Sequence, residues 1–362
     1  MVVVMSGADK FIVPGTNVLR RAGQALINSE ATTAEKQLAF DILNNWRSLH
    51  SYPIDAFQKM LKRKCSQMKF KDFTVAQRLK RMPSIISKLE RNPAMNLARM
   101  QDIGGLRIIL PTINDVYRLH SELLTHNNRF NHEAKLPFHD YINNPKKDGY
   151  RSLHQVFTYK SRDHSELDGL NIELQIRTNL QHSWATAVET LGVLENASIK
   201  SGFGSDDHKL FFKLSSALFS IKEKTPVLSE FANVSPVEIA KQAKQIEAKL
   251  QIFNKLKGIA VTTKHIESSS NSQHAYHILR LYKDADSDVW KVDVLPFSKT
   301  QEGLAKTLYA SLEKAVKDNP DVDVVLVSVG DLKAIKKAYP NYFLDTNQFI
   351  KEMQSAFARH IE

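Results

Sequence analysis

The sequence predicts an α/β fold: a mixed sheet with flanking helices, followed by a smaller α+β unit. Three observations point there. Apolar strand-like runs occur at GLRIIL (105–110), LHQVFTY (153–159) and NIELQIR (171–177). Segments of 3.6-residue period lie between and around them, an alternation that gives a mixed sheet covered by helices. After the polar stretch ESSSNSQ (267–273) a second series of strand and helix patterns begins.

Residues 17 to 50 read as helices, because Thr32 and Glu35 form a capping-box signature ahead of apolar positions at helical spacing. Pro53 restarts the chain into IDAFQKMLKRKC, and the break at Met82-Pro83 opens the helix PSIISKLER. GLRIIL, bounded by Gly104-Gly105 and Pro111, reads as a buried strand, and INDVYRLHSELLT returns to helical period. The strands LHQVFTY and NIELQIR lead into a helix from about Leu180 to Thr190. NASIKSGFGSDDH near 196–208 has loop chemistry. A long helix is expected from Ser235 to Lys255. Beyond ESSSNSQ, AYHILRLY and VWKVDVLPF form a β-hairpin, followed by a helix near 302–317, the strand DVVLVSV and terminal helices. The expected domains are a helical segment 1–70, a central domain 71–225 and a C-terminal unit 226–362 that carries no recognisable chemistry and is expected to regulate or bind a partner.

A chain of 362 residues exceeds what one core usually organises. No apolar run approaches the roughly eighteen residues a membrane span needs, and MVVVMSGADKF is too short and weakly flanked for a signal peptide. With a single cysteine, Cys65, no internal disulfide or cysteine-rich metal site can form, so a cytoplasmic location is expected. Lysine and arginine number 50 against 39 acidic residues, a net charge of +11 that favours polyanionic partners. Residues 59–91 concentrate eleven basic residues against Asp72 and Glu90. Solvated faces usually mix both signs, so this run favours a phosphate-facing surface.

Four segments carry the candidate chemistry: RLKRMPSIISKL, RMQDIGGLRII, HDYINNPKKDGYRSLH and ELQIRTNLQHSWA. Asp102 precedes one strand and Glu173 lies within another, so the two carboxylates can share a magnesium ion that bridges a polyphosphate. Alone, either acid reads as a surface charge or an ion-pair partner. Around them Arg78, Lys80, Lys88, Arg107, Lys146, His154, Gln175 and Arg177 supply cations and donors. Arg107 in an apolar strand is either a structural ion pair or a planar group for a base. Tyr150, beside Gly149, is either core or an exposed stacking ring; His154 is either a satisfied core histidine or a ligand contact. There is no GxxxxGK[ST] loop, no GxGxxG after a strand and no HExxH, which weakens P-loop and kinase readings.

In order and spacing these segments resemble the RelA/SpoT synthetase family over about residues 71–190. The matching pieces are Arg78, Lys80, Ser84, Ile85 and Lys88; Asp102 to Arg107; Asp140 to His154; and Glu173 to Thr178. The resemblance implies a nucleotidyltransferase-like mixed sheet and transfer of the β,γ-pyrophosphate of ATP to a ribose 3′-hydroxyl with Mg2+. It places Arg78 and Arg107 on adenine, Lys80, Ser84 and Lys88 on phosphates, Asp102 and Glu173 on the metal, and Tyr150 on the acceptor base. Glu173 would also stand near the attacking hydroxyl, with Lys146, His154, Gln175 and Arg177 completing the acceptor side. His139 and Asp148 depart from the Lys and Asn usual at their positions, which weakens the expected hold on acceptor phosphates. No His-Asp pair precedes Arg78, so synthesis without self-hydrolysis is implied. The acceptor is by default GDP or GTP. The family alternative is a toxin-type enzyme that modifies the 3′ end of tRNA and is neutralised by its own C-terminal domain until a protein trigger binds it, in the CapRel-like manner. A nucleotide or RNA sensor without turnover is the reading from outside enzymology.

Overall fold

The computed structural model describes residues 11–125, 132–194, 206–257, 262–265, 274–283, 290–316, 319, 322–328, 335–336, 339 and 346–361. Helices α1 (Thr16–Ile27), α2 (Thr33–Leu49) and α3 (Ser51–Gln67) open the chain. The capping box closes in both directions, Glu35 N donating to Thr32 Oγ1 at 3.3 Å and Thr32 N to Glu35 Oε2 at 2.8 Å. Pro53 sits in the first turn of α3, where a missing N–H leaves no helical bond unmade. Leu19, Leu43, Phe57 and Leu61 are buried from these helices into one core with the sheet that follows.

That sheet is built from β1 (Thr74–Leu79), β2 (Gly104–Leu110), β3 (Glu133–Ala134), β4 (His139–Asp140), β5 (Leu153–Thr158) and β6 (Asn171–Thr178). Helix α4 (Met82–Arg91) connects β1 towards β2, and α5 (Ile113–Thr125) follows β2. The order is β1-β2-β6-β5-β3, with β4 also on β5. Only β2 and β6 run parallel; β1, β5 and the short strands pair antiparallel, so the sheet is mixed as expected. The strand β1 falls outside the sequence expectation. Only Thr74 and Val75 of its TVAQRL run are strong β-formers, and the run sits inside a basic stretch, so pairing with β2 is what settles it as a strand.

Register sorts the side chains. Ala76, Arg107, Gln175 and His154 stand across from one another, as do Arg78, Gly105 and Glu173, all on one face. Val75, Leu106, Ile108, Leu174, Ile176 and Leu153 go to the opposite face and into the core. Alternation therefore buries one set against helices and lines up the charged set on the other side.

A second core lies beyond β6. Helices α6 (Asn179–Leu194), α7 (Asp206–Glu223), α8 (Pro236–Leu250) and α9 (Ile252–Lys257) pack with the last helix of the chain, Asn347–Ile361, around Phe211, Phe212, Phe219 and Phe349. The single helix expected over 235–255 is in fact two. Gln251 adopts a left-handed conformation (φ 53°) and closes α8, after which α9 starts in a new direction. The expected boundary at 225/226 thus falls between helices that share a core.

The C-terminal sheet has the order β10-β8-β9-β7, from β7 (Thr262–His265), β8 (His274–Lys283), β9 (Trp290–Ser298) and β10 (Val322–Val327). The strands β8 and β9 form the expected antiparallel hairpin, and α10 (Glu302–Ala315) covers the sheet through Ala305 and Tyr309. The final helix, Asn347–Ile361, is α11. The stretch 267–273 lies outside the described residues. This unit docks on the central domain beside β1: Arg81 pairs with Asp323, and Gln58 Nε2 donates to Ser328 O at 3.0 Å.

Candidate active site

The charged face of the sheet opens at the β1 end into a cavity of about 80 Å³ lined by Arg78, Lys80, Asp102, Arg107, Glu173 and Gln175 among others. Lys80 leaves the end of β1 with its backbone N–H on Ile103 O at 2.8 Å, which aims the side chain at the loop before β2. There Lys80 Nζ donates to Asp102 Oδ2 at 2.9 Å, and Lys88 Nζ from α4 reaches both Asp102 oxygens at 3.1 Å. Ser84 sits one turn before Lys88 on the same side of α4. Gly104 lets this corner close: a Cβ there would meet Ile54 Cγ2 at 2.9 Å and His50 Cβ at 3.1 Å.

Arg107 lies diagonally across β1 and β2 from Arg78 on the same face. Burial, together with the charges of Arg177 and Arg78, pulls its pKa down to about 10, and its Nε is buried without a partner. Arg177 likewise keeps Nε and Nη1 unpartnered at 3 % exposure. Buried donors without acceptors mark this face as built for groups that bring acceptors.

The residues expected on the acceptor side form a continuous hydrogen-bonded chain. Glu173 Oε1 meets His154 Nδ1 at 3.0 Å, His154 Nε2 meets Tyr150 Oη at 2.8 Å, and Arg177 Nη2 donates to Tyr150 Oη at 2.5 Å and to Gln175 Oε1 at 2.7 Å. Gln175 Nε2 returns to Glu173 Oε2 at 2.9 Å. Burial alone would raise Glu173, yet the hydrogen bonds of His154 and Gln175 and the charges of His154 and Lys80 hold it down to about 2. Tyr150 shows the same contest: burial raises it, while Arg177 and His154 bring it to about 7.

Tyr150 is not an exposed ring. It is 9 % exposed, meets Trp184 edge-on, and has Arg177 and Lys146 over it, each at 5.1 Å from its centroid. The cause is Gly149: at φ 93° it brings the loop against α7, where Ser216 Oγ donates to Gly149 O at 2.6 Å. Asp148 fixes the same turn by accepting from Tyr150 N at 2.9 Å, a task Asn could share. Lys146 covers Tyr141 as well, at 4.4 Å, and the exposed His139 stacks on Tyr141 at 5.6 Å. Cys65 is buried and burial pushes its thiol up to about 12, so it takes no part.

One lining residue escaped sequence reasoning altogether. Tyr339, from the C-terminal unit, enters the cavity beside Arg78 and Arg107 and donates to Gln77 O at 2.5 Å. With it in place the cavity is far below the roughly 300–1,000 Å³ of sites that hold small ligands. No local pattern near 339 signals this, because the contact joins residues 262 apart.

Among the described residues no cluster of three or more His, Cys, Asp or Glu could cage a metal. Asp102 and Glu173 line one cavity, which suits magnesium that keeps water ligands and arrives on a polyphosphate. Among the described residues no helix is long and apolar enough to cross a membrane.

Comparison with known proteins agrees with this geometry. Residues 77–191 match the region found in RelA / SpoT proteins. GTP pyrophosphokinase YwaC of Bacillus subtilis is 28 % identical over 163 residues, 44 % of this chain and 66 % of that protein. GTP pyrophosphokinase YjbM of the same organism is 33 % identical over 127 residues, 34 % of this chain and 58 % of the relative. The chain thus spans less than two thirds of either. Among solved structures, small alarmone synthetase 1 of Bacillus subtilis bound to its product pppGpp aligns at 25 % identity and a TM-score of 0.41, covering 48 % of this chain and 89 % of its own. The matched segment contains β2 to β6 and most of the cavity's lining, and over residues 77–191 this chain is similar to RelA / SpoT proteins.

Proposed function

We propose that the protein is an ATP-dependent pyrophosphokinase that moves the β,γ-pyrophosphate of ATP to the 3′-hydroxyl of a nucleotide, with GDP or GTP as the first acceptor to test. The observation that carries this reading is the convergence of Arg78, Lys80, Asp102, Arg107, Glu173 and Gln175 on one cavity. Relatives named GTP pyrophosphokinases support it.

The planar guanidinium groups of Arg78 and Arg107 would hold adenine, and Lys80, Ser84 and Lys88 the phosphates. Magnesium, held by Asp102 and Glu173, would neutralise polyphosphate charge. Glu173, ionised throughout the physiological range, would orient the ribose hydroxyl and take its proton as the 3′-oxygen bonds to the β-phosphorus and AMP departs. His154 and Gln175 keep that carboxylate aligned. Tyr150 and Arg177 brace His154 from behind, and Lys146 remains on the outer edge for acceptor phosphate. Incubation with γ-labelled ATP, magnesium and GDP, GTP or bulk tRNA tests the reading: label in the acceptor is expected, and release of inorganic phosphate alone would sink it.

A second reading concerns control and acceptor together. Tyr339, from the C-terminal unit, walls the cavity beside Arg78 and Arg107, which favours an enzyme restrained by that unit. Such restraint suits the toxin-type branch, with the tRNA 3′ end as acceptor and a protein trigger as release. Label appearing in tRNA and not in GDP or GTP would select it.

A further inference from the structure

The turn between β1 and α4 carries Lys80 and leads into Ser84 and Lys88, so its position sets the phosphate side of the cavity. Two of its backbone groups are held from outside the matched region. Lys80 O accepts from Arg47 Nε at 2.8 Å, and Met82 N donates to Glu313 Oε1 at 2.9 Å. The residue capping α4, Arg81, supplies no side-chain cap, and Pro83 has no N–H, so Glu313 takes the cap's place from the C-terminal unit. Glu313 also holds Arg47. Arg47 Nη1 donates to Glu313 Oε2 at 2.7 Å, Nη2 to Oε1 at 3.3 Å and Nη2 to Tyr309 Oη at 3.0 Å. The two side chains are 1 % and 5 % exposed, so neither charge has water to fall back on.

We propose that Glu313 is a positioning residue for the ATP-phosphate side of the cavity, acting through Met82 N and Arg47 on the turn that carries Lys80. The inference rests on the pyrophosphokinase reading. It gives the C-terminal unit a constructive part: Tyr339 narrows the cavity while Glu313 holds the turn at one of its walls in place. A displacement of about 1 Å in a positioning element is enough to cost about 10²-fold in rate. Lys80 and Lys88, which share Asp102, would move with the turn.

The test uses the full chain with Tyr339→Ala as parent, so that narrowing of the cavity does not mask binding. Affinity for a methylene-bridged ATP analogue with magnesium, KM for the acceptor, and the unfolding temperature are measured in the parent, in Glu313→Ala and in Glu313→Gln. Glu313→Ala is expected to bind the analogue at least tenfold more weakly with acceptor KM unchanged. Glu313→Gln keeps an oxygen for Met82 N–H and should recover part of the loss. Unchanged analogue affinity in folded Glu313→Ala overturns the proposal, as does an equal rise in acceptor KM. Should Glu313→Ala not fold, unchanged affinity in Glu313→Gln at a lowered unfolding temperature overturns it equally. If the parent itself fails to bind the analogue, the pyrophosphokinase reading falls and takes the inference with it.

Discussion

The two sides of the cavity are held together by different physics. On the side proposed for ATP, Lys80, Lys88 and Asp102 are each between a fifth and a third exposed, so their ion pairs are screened by water and cost little to open. On the side proposed for the acceptor, Tyr150 and Arg177 are buried and His154 is 11 % exposed, and direct hydrogen bonds join them to Glu173, an arrangement that resists rearrangement. One side is therefore adaptable; the other is pinned to α7 through Ser216 and Gly149.

The largest expected effect tests whether the adaptable side can stand alone. Truncation before residue 267 removes Glu313 and Tyr309, the partners of Arg47, and uncovers the surface that α10 buries. It also removes Phe349 from the second core. The truncate should be insoluble or inactive, whereas Tyr339→Ala in the full chain should bind the ATP analogue more tightly than wild type. A soluble, fully active truncate would show that the dependence is absent.

Next come the carboxylates at the join of the two sides. Asp102→Ala and Glu173→Ala should each lower turnover by about 10²–10³-fold with the unfolding transition retained, the scale on which a preorganised electrostatic group acts. Near-wild-type rates in either variant would falsify its role.

Tyr150→Phe probes the rigid side. The ring is kept, but His154 and Arg177 lose their shared partner, and a stability loss of about 1–3 kcal/mol is expected from the unsatisfied groups. A variant as stable as wild type, with acceptor use alone impaired in Tyr150→Ala, would favour a base-stacking ring instead.

The smallest effect is a pH dependence beneath the ATP side. His50 packs under Gly104, and burial lowers its pKa from 6.5 to about 4 despite its bond to Trp46 O. The unfolded chain binds the proton first, so stability present above pH 6.5 declines as pH falls towards 4. Urea unfolding at pH 7 and pH 5 should differ by about 1–2 kcal/mol from this group, at about 1.4 kcal/mol per pKa unit. In His50→Gln that part of the difference should vanish.

What the sequence disclosed divides along the same line. Arg107, Glu173, Gln175 and Arg177 could be read because strand alternation fixes their face locally. Their neighbours in space followed from motif order. Tyr339 and Glu313 could not, since each acts on a backbone group more than 200 residues away. The break at Gln251 was equally silent: the run LQIFNK contains neither Gly nor Pro to mark the left-handed turn there. The burial of Tyr150 was hidden because α7, which encloses it, begins only where the loop-like stretch 196–208 ends.

The position of β10 beside β1 has a consequence for the life of the protein in a cell. As the first strand in the sheet order, β1 has β2 on one side only, and the C-terminal unit rests against its other side. An uncovered strand edge is a template for pairing with other chains. Proteolytic clipping or a premature stop ahead of β10 would uncover that edge, and such fragments should self-associate and be cleared.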